Sequence, residues 1–191
     1  GLVVIVLVGL IDDIYKVRAL YKLLGQILAA GVFILVSGKT LVTMGDMFGT
    51  GDLRLGWLEI PVTIFCIAGF INALNLSDGL DGLAGGITAI AALFLMSLAA
   101  HAQQWESFAI LLALLGAIIG FLRYNTFPAR VFMGDAGSQF LGFSVAVLGL
   151  LLIERSNTAI SPLVPVLVLG LPMMITVLLA QSGMGGRNFA P

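Results

Sequence analysis

NALNLSDGLDGLAGG, Asn72 to Gly86, joins an apolar run at 57–74 to another at 83–100. Each run approaches the roughly 17–20 residues that an α-helix needs to cross a bilayer. The stretch therefore reads as the turn between two membrane spans, and that reading decides the fold. It also holds Asp78 and Asp81 with no basic residue beside them. A carboxylate at a bilayer centre costs about 2.5–3.5 kcal/mol on insertion scales, so acids near a membrane point to function. The plain alternative is a pair of solvated residues at the interface.

Composition extends the reading to the whole chain. Of 191 residues, 60% are hydrophobic and 10% charged, against roughly 25% charged in soluble domains. This composition describes an integral membrane protein. Its net charge of −1 offers no basic surface to nucleic acid, and a single Cys66 excludes an internal disulfide and fits a small core residue. No basic segment precedes GLVVIVLVGLIDD, so a signal peptide is not expected there. The first run reads as cut, with an upstream part missing.

The apolar runs predict an all-α helix bundle of about seven spans: 1–11 (partial), 22–37, 57–74, 83–100, 107–122, 138–153 and 163–180. A small outer β-hairpin or irregular cap is expected near 38–56, from the spacing of its Gly and Asp residues. One membrane domain, 1–191, is the simplest organisation. The connections alternate between two sets. One carries Lys16, Arg18, Lys22, Arg123, Arg130 and Arg187; the other carries Lys39, Arg54 and Arg155. The excess of cations marks the first set as cytoplasmic.

The same set holds five acids, all aspartates: Asp12, Asp13, Asp78, Asp81 and Asp135. Three separate clusters on one membrane face suggest convergence on one site. Asp12 and Asp13 diverge by about 100° on a helix, which implies two different roles. Asp78 and Asp81, three apart, would share one helix face. Asp135 follows Gly134, and Ala136 to Ser138 could open the next helix. Asn72 reads as a cap or a bridge between helices.

Carboxylates without matching lysines call for a counter-ion. Hard oxygen donors favour Mg²⁺, with Mn²⁺ as the second candidate. Imidazole metals are disfavoured, because the only histidine, His101, falls on the opposite face. That placement also removes a Ser-His-Asp arrangement. Magnesium-dependent phosphoryl transfer at the cytoplasmic membrane surface is the leading chemistry.

Four stretches together resemble the polyprenyl-phosphate N-acetylhexosamine-1-phosphate transferases. They are GLIDDIYKVRALYKLLGQILAA, INALNLSDGLDGLAGG, FLRYNTFPARVFMGDAGSQFLGF and, more weakly, NTAISPLVPVLVLGLP. The resemblance implies that a polyprenyl (undecaprenyl) phosphate in the bacterial inner membrane attacks the β-phosphate of a UDP-sugar. A lipid-diphosphate sugar and UMP result, the first membrane step of cell-envelope polysaccharide synthesis. By the resemblance, Asp12 deprotonates or orients the lipid phosphate, with Asp13 and Asp78 completing the catalytic acids. Asp135 matches the metal ligand, with Asn75 beside it. Asp81 and Asn125 read the nucleotide, Phe132 stacks on uracil, and Lys22 neutralises a phosphate or snorkels at the interface. The NALN–SDGLDGLAGG wording is closer to the UDP-GlcNAc branch than to the peptidoglycan branch. Homodimers are expected by the same resemblance. So are helices before Asp12, an acid near Ile175 and a later basic loop with a histidine cluster, so the chain is expected to be a fragment.

Three rivals stand beside this reading. A proton- or ion-coupled transporter would use acids near mid-membrane on broken helices. An intramembrane aspartyl protease would need Gly-x-Gly-Asp, where Phe132 takes the first glycine position. An inactive fragment of the transferase would only associate with other membrane proteins.

Overall fold

The computed structural model describes residues 1–44 and 53–155, the last two by backbone alone. Among them, apolar sequence becomes helix six times: α1 (Leu2–Tyr15), α2 (Ala19–Ser37), α3 (Glu59–Ser77), α4 (Leu83–His101), α5 (Trp105–Asn125) and α6 (Gly134–Arg155). A 3₁₀ turn, Gly56–Leu58, leads into α3. Five segments are long and apolar enough to cross a membrane: Ala19–Ser37, Gly56–Ser77, Leu83–His101, Trp105–Asn125 and Gly134–Ile153. The protein is a multi-pass helical membrane protein.

The count differs from the seven predicted spans. α1 has 14 residues; at 1.5 Å per residue it rises only about 21 Å, short of a hydrocarbon core of about 30 Å. The expected span at 163–180 lies outside the described residues. The predicted outer hairpin is not a pair of strands among the described residues. Its flanks meet in one antiparallel bridge, Thr43 to Arg54, closed by Met44 N–H to Leu53 C=O and Leu55 N–H to Val42 C=O, both 3.0 Å. Residues 45–52, its expected tip, lie outside the described residues.

Helix ends also overrun the apolar runs. α1 continues through Asp12 and Asp13 to Tyr15, and α6 begins at Gly134 rather than at 138. Hydropathy sees only the greasy part of a span. The polar turns beyond it persist because their groups find partners at the interface.

α6 is the central helix, packed along α1 and α3 and also against α4, while α4 and α5 form the other close pair. Leu141, Phe143, Val145, Leu148 and Leu152 are buried on different sides of α6. An apolar helix without a polar face belongs in the middle of a bundle. α1 approaches it closely through Gly9, where an added Cβ would sit 2.4 Å from the Ala136 Cα. By contrast Leu35 and Val36 of α2 are each 85% exposed, as expected where the neighbour is lipid rather than water. α2 and α3 are joined by an amide pair. Asn72 Nδ2 donates to Gln26 Oε1 at 2.6 Å and Gln26 Nε2 donates to Asn72 Oδ1 at 3.3 Å. Such interhelical bonds average about 0.6 kcal/mol in membranes.

Chain direction alternates from helix to helix. The C-terminal ends of α1, α3 and α5 therefore gather with the N-terminal ends of α2, α4 and α6, as the contacts below record. All five highlighted aspartates sit at this end of the bundle.

Candidate active site

α1 delivers two adjacent acids to two different tasks. Asp12 is buried; its Oδ1 accepts from the Val17 N–H at 2.7 Å, and its Oδ2 lies 2.5 Å from Lys22 Nζ. Asp13 turns the other way and accepts from the Asp135 N–H at 2.8 Å and the Ala136 N–H at 3.1 Å. Those are orphan donors at the start of α6, where the helix dipole favours an anion. Gly134 makes the approach feasible: its φ is +69°, and a Cβ there would sit 3.1 Å from both Asp13 carboxylate oxygens.

Lys22, one turn into α2, bridges Asp12 and Asp135, with its Nζ 3.0 Å from Asp135 Oδ1. This corrects the expectation of acids without a matching lysine. Lys22 is ten residues from Asp12 but 113 from Asp135, so only tertiary packing reveals it. Asn75 from α3 donates to the same Asp135 Oδ1 and, at 2.8 Å, to Ser138 Oγ. Ser138 in turn donates to the Gly134 carbonyl at 3.0 Å. Asp78 caps the C-terminus of α3, its N–H reaching the Asn75 carbonyl at 3.3 Å. Burial, then the charges of Asp135 and Asp13, push its carboxyl up to about 6.

Asp81 is placed elsewhere. It lies in the turn after α3, outside any helix, so it does not share a helix face with Asp78. Gly82 takes a φ of +72° and starts α4, which breaks the helical spacing. Asp81 Oδ2 accepts from the Ala129 N–H at 3.0 Å. Asn125 is buried, with Oδ1 accepting from the Gly82 N–H at 3.1 Å and Nδ2 donating to the Val131 carbonyl at 2.9 Å. Both residues stitch the α3–α4 turn to the α5–α6 loop. Phe132, 75% exposed, stands at the edge of a mainly apolar groove of about 240 Å³ that also involves Phe121, Met133 and Phe140.

The structure thus brings Asp12, Asp13, Lys22, Asn75, Asp78 and Asp135 into one cluster, with Asp81, Asn125 and Phe132 on the adjoining loops. Two polar residues of α6 escaped the sequence reading. Ser138 could have been noticed three residues after Asp135 in the first helical turn. Gln139 is fully buried with both amide atoms unpaired among the described residues; its only signal was polarity inside an apolar run.

Among the described residues no three acids already form a cation cage. The donors still suit Mg²⁺ in kind, since that ion takes one or two carboxylates and completes its shell with water and substrate phosphate. Asp135, with Asn75 alongside, is the pair that fits, while Asp12 has both oxygens occupied by Val17 and Lys22. The acids lie at helix ends, which removes the mid-membrane placement that a transporter reading needed.

This arrangement defines a multi-pass helical membrane bundle with a cluster of carboxylates and one lysine at one end, and comparison with known proteins gives it a family. The chain belongs to glycosyl transferase family 4, whose model matches residues 1–153. It is 37% identical over 176 residues to the "Probable undecaprenyl-phosphate N-acetylglucosaminyl 1-phosphate transferase" of Bacillus subtilis (strain 168), covering 92% of this chain and 49% of that protein. The phospho-N-acetylmuramoyl-pentapeptide-transferase of Desulforudis audaxviator is 44% identical over 153 residues, 70% of this chain and 46% of that protein. That of Acetivibrio thermocellus is 36% identical over 158 residues, 76% of this chain and 48% of that protein. The chain spans about half the length of these curated relatives.

Proposed function

We propose that the protein transfers a sugar-1-phosphate from a UDP-sugar to a polyprenyl phosphate, releasing UMP, at the cytoplasmic face of the bacterial inner membrane. The observation that carries this is the convergence of Asp12, Lys22, Asn75, Asp78 and Asp135 at one end of the bundle, in a chain of family 4. The cation excess at that end supports a cytoplasmic orientation. GlcNAc-1-phosphate is the first sugar to test, because the match to the B. subtilis relative covers 92% of this chain.

The chemistry joins a lipid phosphate oxygen to the β-phosphorus and breaks the bond to UMP. Positioning and charge stabilisation are what a protein contributes to such a step. Lys22 supplies a positive charge held between two carboxylates, ready to turn toward an incoming phosphate. Asp78 is the group best suited to take a proton from a lipid phosphate monoanion, since its carboxyl titrates near 6. Asp12 has both oxygens occupied, so it orients Lys22. Asp13 holds the start of α6 and hence the Asp135 carboxylate. Asp81, Asn125 and Phe132 present the loops for the nucleotide. Mg²⁺, held by Asp135 with Asn75 alongside, would neutralise charge on the diphosphate; Mn²⁺ fits the same donors. A homodimer belongs to this reading as well.

Purified protein with undecaprenyl phosphate, UDP-GlcNAc and Mg²⁺ is expected to release UMP. Asp135→Asn should lower the rate by at least about 10²-fold, the scale of losing one key electrostatic group, while the protein stays folded. Unchanged turnover in that variant would remove Asp135 from the mechanism.

A further inference from the structure

Arg123 lies in the last turn of α5, and Arg130 lies in the loop that leads to α6. The backbone forces them toward one another. The Arg130 N–H donates to the Tyr124 carbonyl at 2.8 Å, and the Val131 N–H reaches the same oxygen at 3.3 Å. The loop therefore folds back over the end of α5 and satisfies a carbonyl the helix leaves open. Asn125 pins it from within through Gly82 and Val131, and Asp81 holds Ala129.

This fold-back borders an open surface cavity of about 360 Å³, lined by Arg123, Tyr124, Thr126, Phe127, Pro128 and Arg130. Its wall is mainly polar and includes no carboxylate. Among the described residues, neither guanidinium has an acid partner, and neither the Tyr124 nor the Thr126 hydroxyl bonds to another protein group. Both arginines are exposed, so solvent screens their mutual repulsion, and among the described residues four donor groups without a protein partner line one pocket.

We propose that this cavity is a phosphate-binding site separate from the carboxylate cluster. Guanidinium groups take phosphate oxygens in pairs of charge-assisted hydrogen bonds, and the two hydroxyls add neutral donors. The net charge of the lining selects an anion, whereas the Asp12–Asp78–Asp135 cluster repels a free one. Phe127, 86% exposed, and Tyr124, 54% exposed, border the cavity with apolar surface, which suits a site at the membrane–water interface. A phosphate diester in a lipid headgroup and a soluble diphosphate share the required chemistry. The inference stands whether or not the protein transfers sugar.

The test uses the full chain in micelles, read by thermal unfolding and by native mass spectrometry. One arm adds phosphatidylglycerol, with phosphatidylcholine as the neutral control; the other adds inorganic pyrophosphate. Phosphatidylglycerol retained and stabilising, with pyrophosphate inert, identifies a lipid headgroup. The reverse identifies a soluble phosphate. In either case R123Q/R130Q should weaken the effective probe by about tenfold or more, the scale of losing charge-assisted pairs. R123K/R130K, which keeps the charge and loses the fork, should fall between; it carries the test if the glutamine variant does not fold. Equal binding of both probes to wild type and R123Q/R130Q, or to wild type and R123K/R130K, would overturn the site.

Discussion

Lys22 gains most from being seen in three dimensions. Its ammonium sits 2.5 Å from a buried Asp12 and 3.0 Å from Asp135. Removing one partner of such a pair costs about 3 kcal/mol, because a desolvated charge is left alone. Lys22→Met in chelator should therefore unfold at a markedly lower temperature than wild type, while Lys16→Met, at an exposed position without an ion pair among the described residues, should not. Added Mg²⁺ should then raise the melting temperature of Lys22→Met by more than that of wild type, because the cation takes over the lost charge. Equal shifts would show that Lys22 and the ion do not share a place.

Asp78 makes a second residue-scale prediction, with the sign set by its raised carboxyl. The folded protein holds this proton up to about pH 6, whereas the ordinary value is 3.8. Its contribution to stability is complete below about pH 4 and disappears as pH rises through 6. In metal-free protein, wild type should lose thermal stability across that window, and Asp78→Asn should show a flatter profile. A parallel loss in both would assign the slope to other groups.

At the scale of the element, α6 depends on how closely α1 approaches. Gly9 faces Ala136 with no room for a side chain, and overpacking typically costs about 1–3 kcal/mol. Gly9→Val should destabilise the protein by that order and move Asp13 off the first N–H groups of α6. A calorimetric or fluorescence melt measures the first effect. Gly31→Ala is the control, since nothing lies within 4 Å of its added Cβ; it should be neutral or slightly stabilising. Helix ends carry a related lesson. α6 starts four residues before its apolar run because Asp13, distant in the chain, accepts its first N–H groups.

At the scale of the whole molecule, alternation of the helices assigns every connection to one side or the other. Cys66 is the sole cysteine, so a Cys66→Ala background permits single-site labelling. Lys16→Cys, at the carboxylate end, and His101→Cys, at the far end of α4, should react with an impermeant maleimide from opposite sides of sealed vesicles. Reaction of both from one side would break the topology that gathers the five aspartates at one face.

Much of this was legible in the chain itself. Low charge and long apolar runs determined a helical membrane protein, because a backbone in hydrocarbon must satisfy its own hydrogen bonds and a helix does so within one segment. The adjacency of Asp12 and Asp13 already required two roles. Neighbours across the fold decided the rest. A sequence period cannot show that Gly82 ends the register between Asp78 and Asp81, that Lys22 stands between two acids, or that Arg130 returns to Arg123. Local propensity and hydropathy depend on nearby residues alone; charge pairing and cavity shape depend on groups that only packing brings within a few ångströms.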